Sequence, residues 1–258
     1  MVKIGTSGYR YADWKGAFYP EGLSEKEELA YYAQRFQTVE VNFTYYRMPN
    51  ARTIESMVRR TPEGFTFWVK ANEATTHQQD PATAAPFNEA LAPARAAGRL
   101  AGILFQFPYS FRNTERNRAY LARLPEDFPH DPLVVEFRNA GWANDAVFNY
   151  LRERRIGFCC VDEPSLTGLM PRIAIATSPV AYVRFHSRDA SKWYESGGKE
   201  RYNYLYKREE LEEWVPKVQQ LSEQTENVYI FFNNCHAGHA AVNAQEFKQL
   251  LAEIGIIG

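Results

Sequence analysis

Acids, bases and amides stand at the ends of apolar runs throughout this chain, and these are the residue types that transfer protons or hold anions. In Leu133-Val134-Val135-Glu136-Phe137-Arg138 a β-branched run reads as a buried strand, and Glu136 and Arg138, two apart, leave the same side of it. The pattern recurs in Val39-Glu40-Val41-Asn42, Trp68-Val69-Lys70-Ala71-Asn72, Leu104-Phe105-Gln106-Phe107, Cys160-Val161-Asp162, Val183-Arg184-Phe185-His186 and Phe231-Phe232-Asn233-Asn234. A buried charge in such a place is costly unless it is paired or used.

Brought together, Glu40, Glu136 and Asp162 would balance Lys70, Arg138 and Arg184. Such a cluster is either an acid/base centre, in which opposing charges separate the carboxylate pKa values, or an ion-pair network that replaces an apolar layer. Placement at strand ends favours the first. Glu40, Glu136, Asp162 and His186 are then the candidate proton carriers, with Lys70, Arg138 and Arg184 neutralising an anion. Asn42, Asn72, Gln106, Asn233 and Asn234 would orient polar groups.

Glu40 and Glu136 also suit a glycoside-type hydrolase, with Tyr45 and Trp142 among its stacking platforms, although any barrel with acids on separate strands offers such a pair. His186, His236 and His239 are candidate metal ligands. Gly238 argues for a turn between the last two, and only His186 stands at a strand end, so no metal or other cofactor is expected.

These side chains converge only if their elements do. Strands are predicted over 3–8, 38–46, 65–73, 101–108, from 133, and over 157–163, 181–187 and 228–234, alternating with helices. Ser24-Glu25-Lys26-Glu27 reads as a capping box opening a helix to about 36. Asn144 caps another, which ends at Arg154, Arg155 and Gly157, and Pro216 kinks a third. Pro164, Pro171 and Pro179 make the crossover after the sixth strand irregular, and a long loop follows the seventh. With no linker or charge block to divide it, the chain is expected to be one α/β domain over 1–258, a TIM-like (β/α)8 barrel whose chemistry sits at the C-terminal strand ends.

Ile4-Gly5-Thr6-Ser7-Gly8-Tyr9, with Trp14-Lys15-Gly16 and Phe18-Tyr19-Pro20, resembles the opening signature of the DUF72, or YecE-like, family. Thr38-Val39-Glu40-Val41-Asn42 through Tyr45-Tyr46-Arg47, Phe105-Gln106-Phe107-Pro108, Glu136-Phe137-Arg138 with Trp142, Tyr182-Val183-Arg184-Phe185-His186, Arg201 through Tyr206 and Phe232-Asn233-Asn234 are similar to its other blocks. Tyr9 stands where that family often has tryptophan, and Ser187 where it often has glycine, which would stiffen the start of the long loop. The resemblance implies a TIM-barrel-like fold and no established activity. Kinship with metal-dependent endonuclease barrels would rest on fold analogy alone.

From Arg184 to Arg208 the chain carries seven basic residues against Asp189, Glu195 and Glu200, a formal +4 in a chain of net charge −1. Trp193, Tyr194, Tyr202, Tyr204 and Tyr206 are interleaved with them, and Gly197-Gly198 marks a tip. Loops after strands seven and eight often bind phosphate in this fold, so Arg188, Trp193 and Tyr194 join the candidate ligand-binding residues. Bases could also stack on such aromatics while Arg and Lys hold phosphates, which makes a non-catalytic nucleic-acid-binding protein using 187–208 the main rival.

A near-neutral chain exerts no global pull on nucleic acid or membrane, so any anion site must be local. Met1-Val2-Lys3-Ile4-Gly5 enters a strand without a signal-peptide core, and no apolar run approaches the ~18 residues of a membrane span. A cytoplasmic protein is expected. The three cysteines, two of them adjacent, read as reduced core residues. No Walker A, GxGxxG or Gly-x-Ser-x-Gly motif is present. The residues together favour an enzyme of hydrolase or lyase type whose ligand carries phosphate: a nucleotide, a nucleic-acid segment or a sugar phosphate.

Overall fold

A computed structural model describes residues 1–194 and 200–257, with eight parallel strands in one sheet. They are β1 (Val2–Thr6), β2 (Thr38–Val41), β3 (Thr66–Lys70), β4 (Leu100–Gln106), β5 (Leu133–Glu136), β6 (Gly157–Asp162), β7 (Val180–Phe185) and β8 (Asn227–Phe232). Their order is β1-β8-β7-β6-β5-β4-β3-β2, and a parallel bridge between Ser7 and Glu40 joins the two ends. This is the expected TIM-like barrel. Every residue of β5 and β6 is buried, as strands covered by helices outside and by one another inside must be.

The β1–β2 seam has few backbone bonds of its own, so a side chain completes it. Tyr32, on α1 (Glu28–Ala33), accepts the Thr6 N–H at 2.8 Å and donates to the Thr38 carbonyl at 3.1 Å. A Cβ on Gly5 would lie 2.3 Å from that same carbonyl oxygen, so only glycine lets the strands meet. Inside the barrel the Trp68 ring packs 4.7 Å from Tyr182 and 5.3 Å from Tyr229, across Gly102, where a Cβ would stand 2.4 Å from the indole. Aromatic rings thus fill the lumen one side-chain step below Lys70 and Arg184 on the same strands.

The remaining helices are α2 (Phe43–Tyr46), α3 (Ala51–Arg59), α4 (Glu73–Thr76), α5 (Ala84–Ala96), α6 (Glu115–Asp127), α7 (Asp145–Glu153), α8 (Arg208–Glu212), α9 (Val215–Gln224) and α10 (His239–Glu253). Residues 163–179, between β6 and β7, form no helix, in keeping with their prolines. None of the described helices is long and apolar enough to cross a membrane. The cysteines are buried and unpaired.

Local departures from expectation have local causes. β2 stops at Val41, and Tyr45 and Tyr46 lie on the single turn of α2 rather than on a strand. The Glu27 carboxylate does accept the Ser24 N–H, at 3.1 Å, but the Ser24 hydroxyl donates to it instead of accepting a backbone amide. Helix α1 therefore begins only at Glu28. Asn144 caps α7 as expected, accepting from Val147 N at 3.1 Å, but Arg155 takes the left-handed turn and Gly157 opens β6. Pro216 sits in the first turn of α9, so the expected kink is a break between two helices.

Candidate active site at the barrel mouth

Three strands deliver the centre of the site. Glu40 ends β2's inward row, Glu136 closes β5, and Arg184 of β7 reaches both, with Nη2 2.7 Å from Glu40 Oε1 and Nη1 2.5 Å from Glu136 Oε2. None of the three is more than 1% exposed. Tyr182, one side-chain step below Arg184, donates to Glu40 Oε2 at 2.6 Å, and Ser7 Oγ lies 3.3 Å from Arg184 Nη2. Arg138 sits between two acids, 3.0 Å from Glu136 Oε1 and 3.2 Å from Glu163 Oε2. Glu163 is fixed in turn by the Met170 N–H at 2.8 Å.

These contacts decide which groups hold protons. Burial alone would raise Glu136, but Arg184, Arg138 and His186 outweigh it and keep the carboxyl well below the usual range. Glu136 is therefore held ionised, so in the proton transfer expected of it this residue would accept and not donate. Burial raises Glu163 to about 7, only partly opposed by Arg138. His186 accepts from the Asn233 amide at Nδ1 (3.0 Å), which leaves its proton on Nε2, 3.2 Å from Glu136 Oε1. Burial, with Arg138 adding to it, lowers this imidazole to about 3, so it is neutral at physiological pH. The contacts at Glu136 Oε1 are close but misaligned, and this oxygen and His186 Nε2 stand among the buried polar atoms without a hydrogen bond.

At the rim, Lys70 donates to Gln106 Oε1 at 2.9 Å and lies 4.3 Å over the face of Tyr45. Among the described residues no carboxylate comes within 4.0 Å of it. Burial first, then Arg184 and Arg138, lower its pKa to about 7 against the pull of Glu136 and Glu40. The chain after β7 returns over this rim. Trp193, 2% exposed, places its ring 5.8 Å from the Arg138 guanidinium and 6.4 Å from the His186 ring, and Tyr202 stands 6.3 Å from His186. Arg201 holds Trp193 by donating to its carbonyl at 2.9 Å and stacking on its ring.

Other candidates are turned away from this mouth. Asp162 faces the helix layer, where it takes Arg188 (2.7 Å), Tyr206 OH (2.9 Å) and Trp214 Nε1 (2.6 Å). Arg188 also pairs with Glu213 at 2.9 Å and is no free anion ligand. Trp142 stacks 4.3 Å from Phe137 outside the barrel and donates to the Phe111 carbonyl. Asn234 ties Tyr204 O to Asn243, and Asn72 caps α4 while holding the Thr44 and Tyr45 carbonyls. Asn42 lines a neighbouring groove of about 440 Å³ with Tyr9, Tyr11 and Tyr46. Tyr194 is 68% exposed. Gly197-Gly198, Glu195 and Lys199 lie outside the described residues. Ser187 does brace the loop, its hydroxyl accepting from Asp189 N at 3.0 Å.

The loop's positive excess is largely cancelled by acids beyond it. Arg208 pairs with Glu212 and Glu253, and Arg188 with Asp162 and Glu213. The His236 and His239 rings lie 5.8 Å apart and tilted by 51°, and no three His, Cys, Asp or Glu among the described residues gather as metal ligands. Tyr182, Ser7 and Glu163 belong to the site without having been singled out, and Tyr202, noted only among the loop's aromatics, joins them. Tyr182 and Glu163 carried a signal: Tyr182 is two residues from Arg184 on β7, and Glu163, just past the end of β6, is four from the inward-facing Cys159.

A family model described as "Protein of unknown function DUF72" matches residues 3–255. The UPF0759 protein YunF of Bacillus subtilis (strain 168) is 32% identical over 273 residues, covering 97% of this chain and 95% of that protein. A DUF72 family protein from Thermotoga maritima superposes with a TM-score of 0.91 at 41% identity, over 98% of this chain and 99% of that one. One from Enterococcus faecalis does so at 0.88 and 27%, over 98% and 96%.

Proposed function

Because the chain belongs to the DUF72 family, whose description assigns no activity, its chemistry rests on its own barrel, where we propose that the mouth binds a small phosphate-bearing ligand and exchanges a proton with it. The carrying observation is Lys70. Among the described residues Arg184, Arg138 and Arg188 are each held by two or more carboxylates, whereas Lys70 has an amide oxygen and an aromatic face for company. An anion arriving at the rim meets an uncancelled cation. Its charge would draw the Lys70 proton on more firmly, and an amine poised near neutrality can return it. Tyr45 lies against Lys70, Trp193 against Arg138 and Tyr202 near His186, and such apolar neighbours lower the local polarity and strengthen the charge interactions there.

Two rivals lose ground. A glycoside-type mechanism needs room for a sugar between Glu40 and Glu136, and the Arg184 guanidinium occupies that position. A nucleic-acid surface built on 187–208 needs several free cations, and of those described there Arg188, Lys192 and Arg208 are paired with acids and Arg201 is engaged with Trp193, which leaves Lys207.

Thermal unfolding in inorganic phosphate against chloride of equal ionic strength tests the proposal. Wild type should gain a saturable stabilisation, as any ligand that binds only the native state confers, and Lys70→Met should lose its phosphate-specific part. Equal responses of both proteins would sink it.

A further inference from the structure

We propose that Lys70 captures carbonyl compounds: its Nζ condenses with the aldehyde or ketone of an anionic substrate to form an imine. This deepens the anion-binding reading above and rests on it for the substrate's charge.

A lysine becomes a nucleophile when its surroundings fail to favour the ammonium, and the usual ways of arranging that are an apolar wall and a second cation. Lys70 has both. The Tyr45 ring covers one side of Nζ at 4.3 Å and shuts water from it, a loss of hydration that outweighs the ring face's own weak attraction for an ammonium, and that ring is itself held by the Tyr45 hydroxyl lying 3.2 Å from His77 Nε2. Arg184 and Arg138 act on Lys70 from the barrel centre, each fixed by two carboxylates and unable to swing away. Among the described residues its one hydrogen bond goes to Gln106 Oε1, a neutral acceptor that orients the amine without locking in its charge. The Gln106 amide is tethered in turn, donating to the Phe107 carbonyl at 2.9 Å. A lysine serving only to balance the acids would be expected against one of them. Here Arg184 has already satisfied Glu40 and Glu136, and Lys70 is surplus to that pairing.

The step balances without redox change. The amine lone pair attacks the carbonyl carbon, a C–N bond forms and the carbonyl π pair moves to oxygen. The proton that nitrogen then sheds is the one oxygen takes up. Loss of the second nitrogen hydrogen with that hydroxyl gives C=N and one water. The proton that the Lys70 ammonium gives up before the attack returns to the imine and restores the positive charge at Nζ, so the substrate's carboxylate or phosphate again faces a cation once the C=N bond has formed.

Borohydride trapping on the wild-type protein tests this, with glyoxylate and glycolaldehyde phosphate as charged probes and glycolaldehyde as the uncharged one. Peptide mapping by mass should find the reduced adduct on Lys70 about tenfold sooner than on any other lysine, with charged probes ahead of the uncharged one and inorganic phosphate protecting. Lys70→Arg, which keeps the charge, should lose the adduct. Labelling spread evenly over the surface lysines would overturn the inference, and if phosphate still stabilised the protein through Lys70 the anion reading would survive it. Equal labelling by charged and uncharged probes would overturn the anionic substrate class and the anion reading together, leaving only a reactive amine.

Discussion

Arg184 satisfies two fully buried carboxylates with one guanidinium, and its own charge is held up by them against burial. Removing it would leave Glu40 and Glu136 facing each other in a dry barrel with Tyr182 and Arg138 as their remaining partners. Breaking a buried pair from one side costs far more than the pair's net worth, about 3–5 kcal/mol. Arg184→Met should therefore lower the denaturation free energy by that order, measurable by chemical unfolding. Adding Glu40→Gln and Glu136→Gln should recover part of the loss, since neutral amides need no counter-charge; a triple variant no more stable than the single one would show that the pairing is not what holds this layer. Candidate chemistry was legible at Glu40, Glu136, Lys70 and Arg184, where charge interrupts an apolar strand. Which of them titrates was not. That depended on the distribution of three guanidinium groups among the acids, which spacing along the chain does not encode.

At the level of elements, the alternation of a strand decides what reaches the lumen, and a shift of one residue reverses it. Asp162 illustrates this: in register with Phe185 it faces the helices, while Glu163, the next residue, meets Arg138. Asn233 and Asn234 divide in the same way, one reaching His186 and the other Asn243. Runs of polar residues at strand ends were readable as the mouth, but their inward members could be chosen only once the strands were in register. The β1–β2 seam is the element where this register is least supported by backbone pairing, and Tyr32 compensates. Tyr32→Phe would leave the buried Thr6 N–H and one lone pair of the Thr38 carbonyl unmatched, at a cost of roughly 1–3 kcal/mol. Hydrogen exchange should then show faster opening at β1 and β2 than at β6 and β7. Uniform protection across the barrel would argue that the Ser7–Glu40 bridge closes it unaided.

Across the whole molecule, the mouth's titrating groups shape the response to acid, and two of them act in opposite directions. His186 has a native pKa of about 3 against an ordinary 6.5, so between those values the unfolded chain binds a proton that the native chain does not. Its contribution is complete above about 6.5 and is lost as pH falls. Glu163 is raised from 4.5 to about 7, so over that interval the native chain binds the extra proton, and stability from this residue grows as pH falls until about 4.5. Between 4.5 and 6.5 the two slopes cancel. Below 4.5 Glu163 has nothing more to add, while Glu136, held well below its usual range, joins His186 in favouring the unfolded state. Wild type should therefore hold a nearly level stability from this cluster down to about pH 4.5 and lose it steeply beyond. Glu163→Gln keeps one acceptor where two oxygens served Arg138 and the Met170 N–H, a cost that does not vary with pH, and it cannot take up the proton, so a further loss should begin near pH 6.5 and reach about 2 kcal/mol by pH 4.5 relative to wild type. Urea titrations of the two proteins across this range decide the matter, because every other titrating group is common to both; parallel profiles would mean that Glu163 is ionised in the native barrel and that Arg138, not burial, governs it.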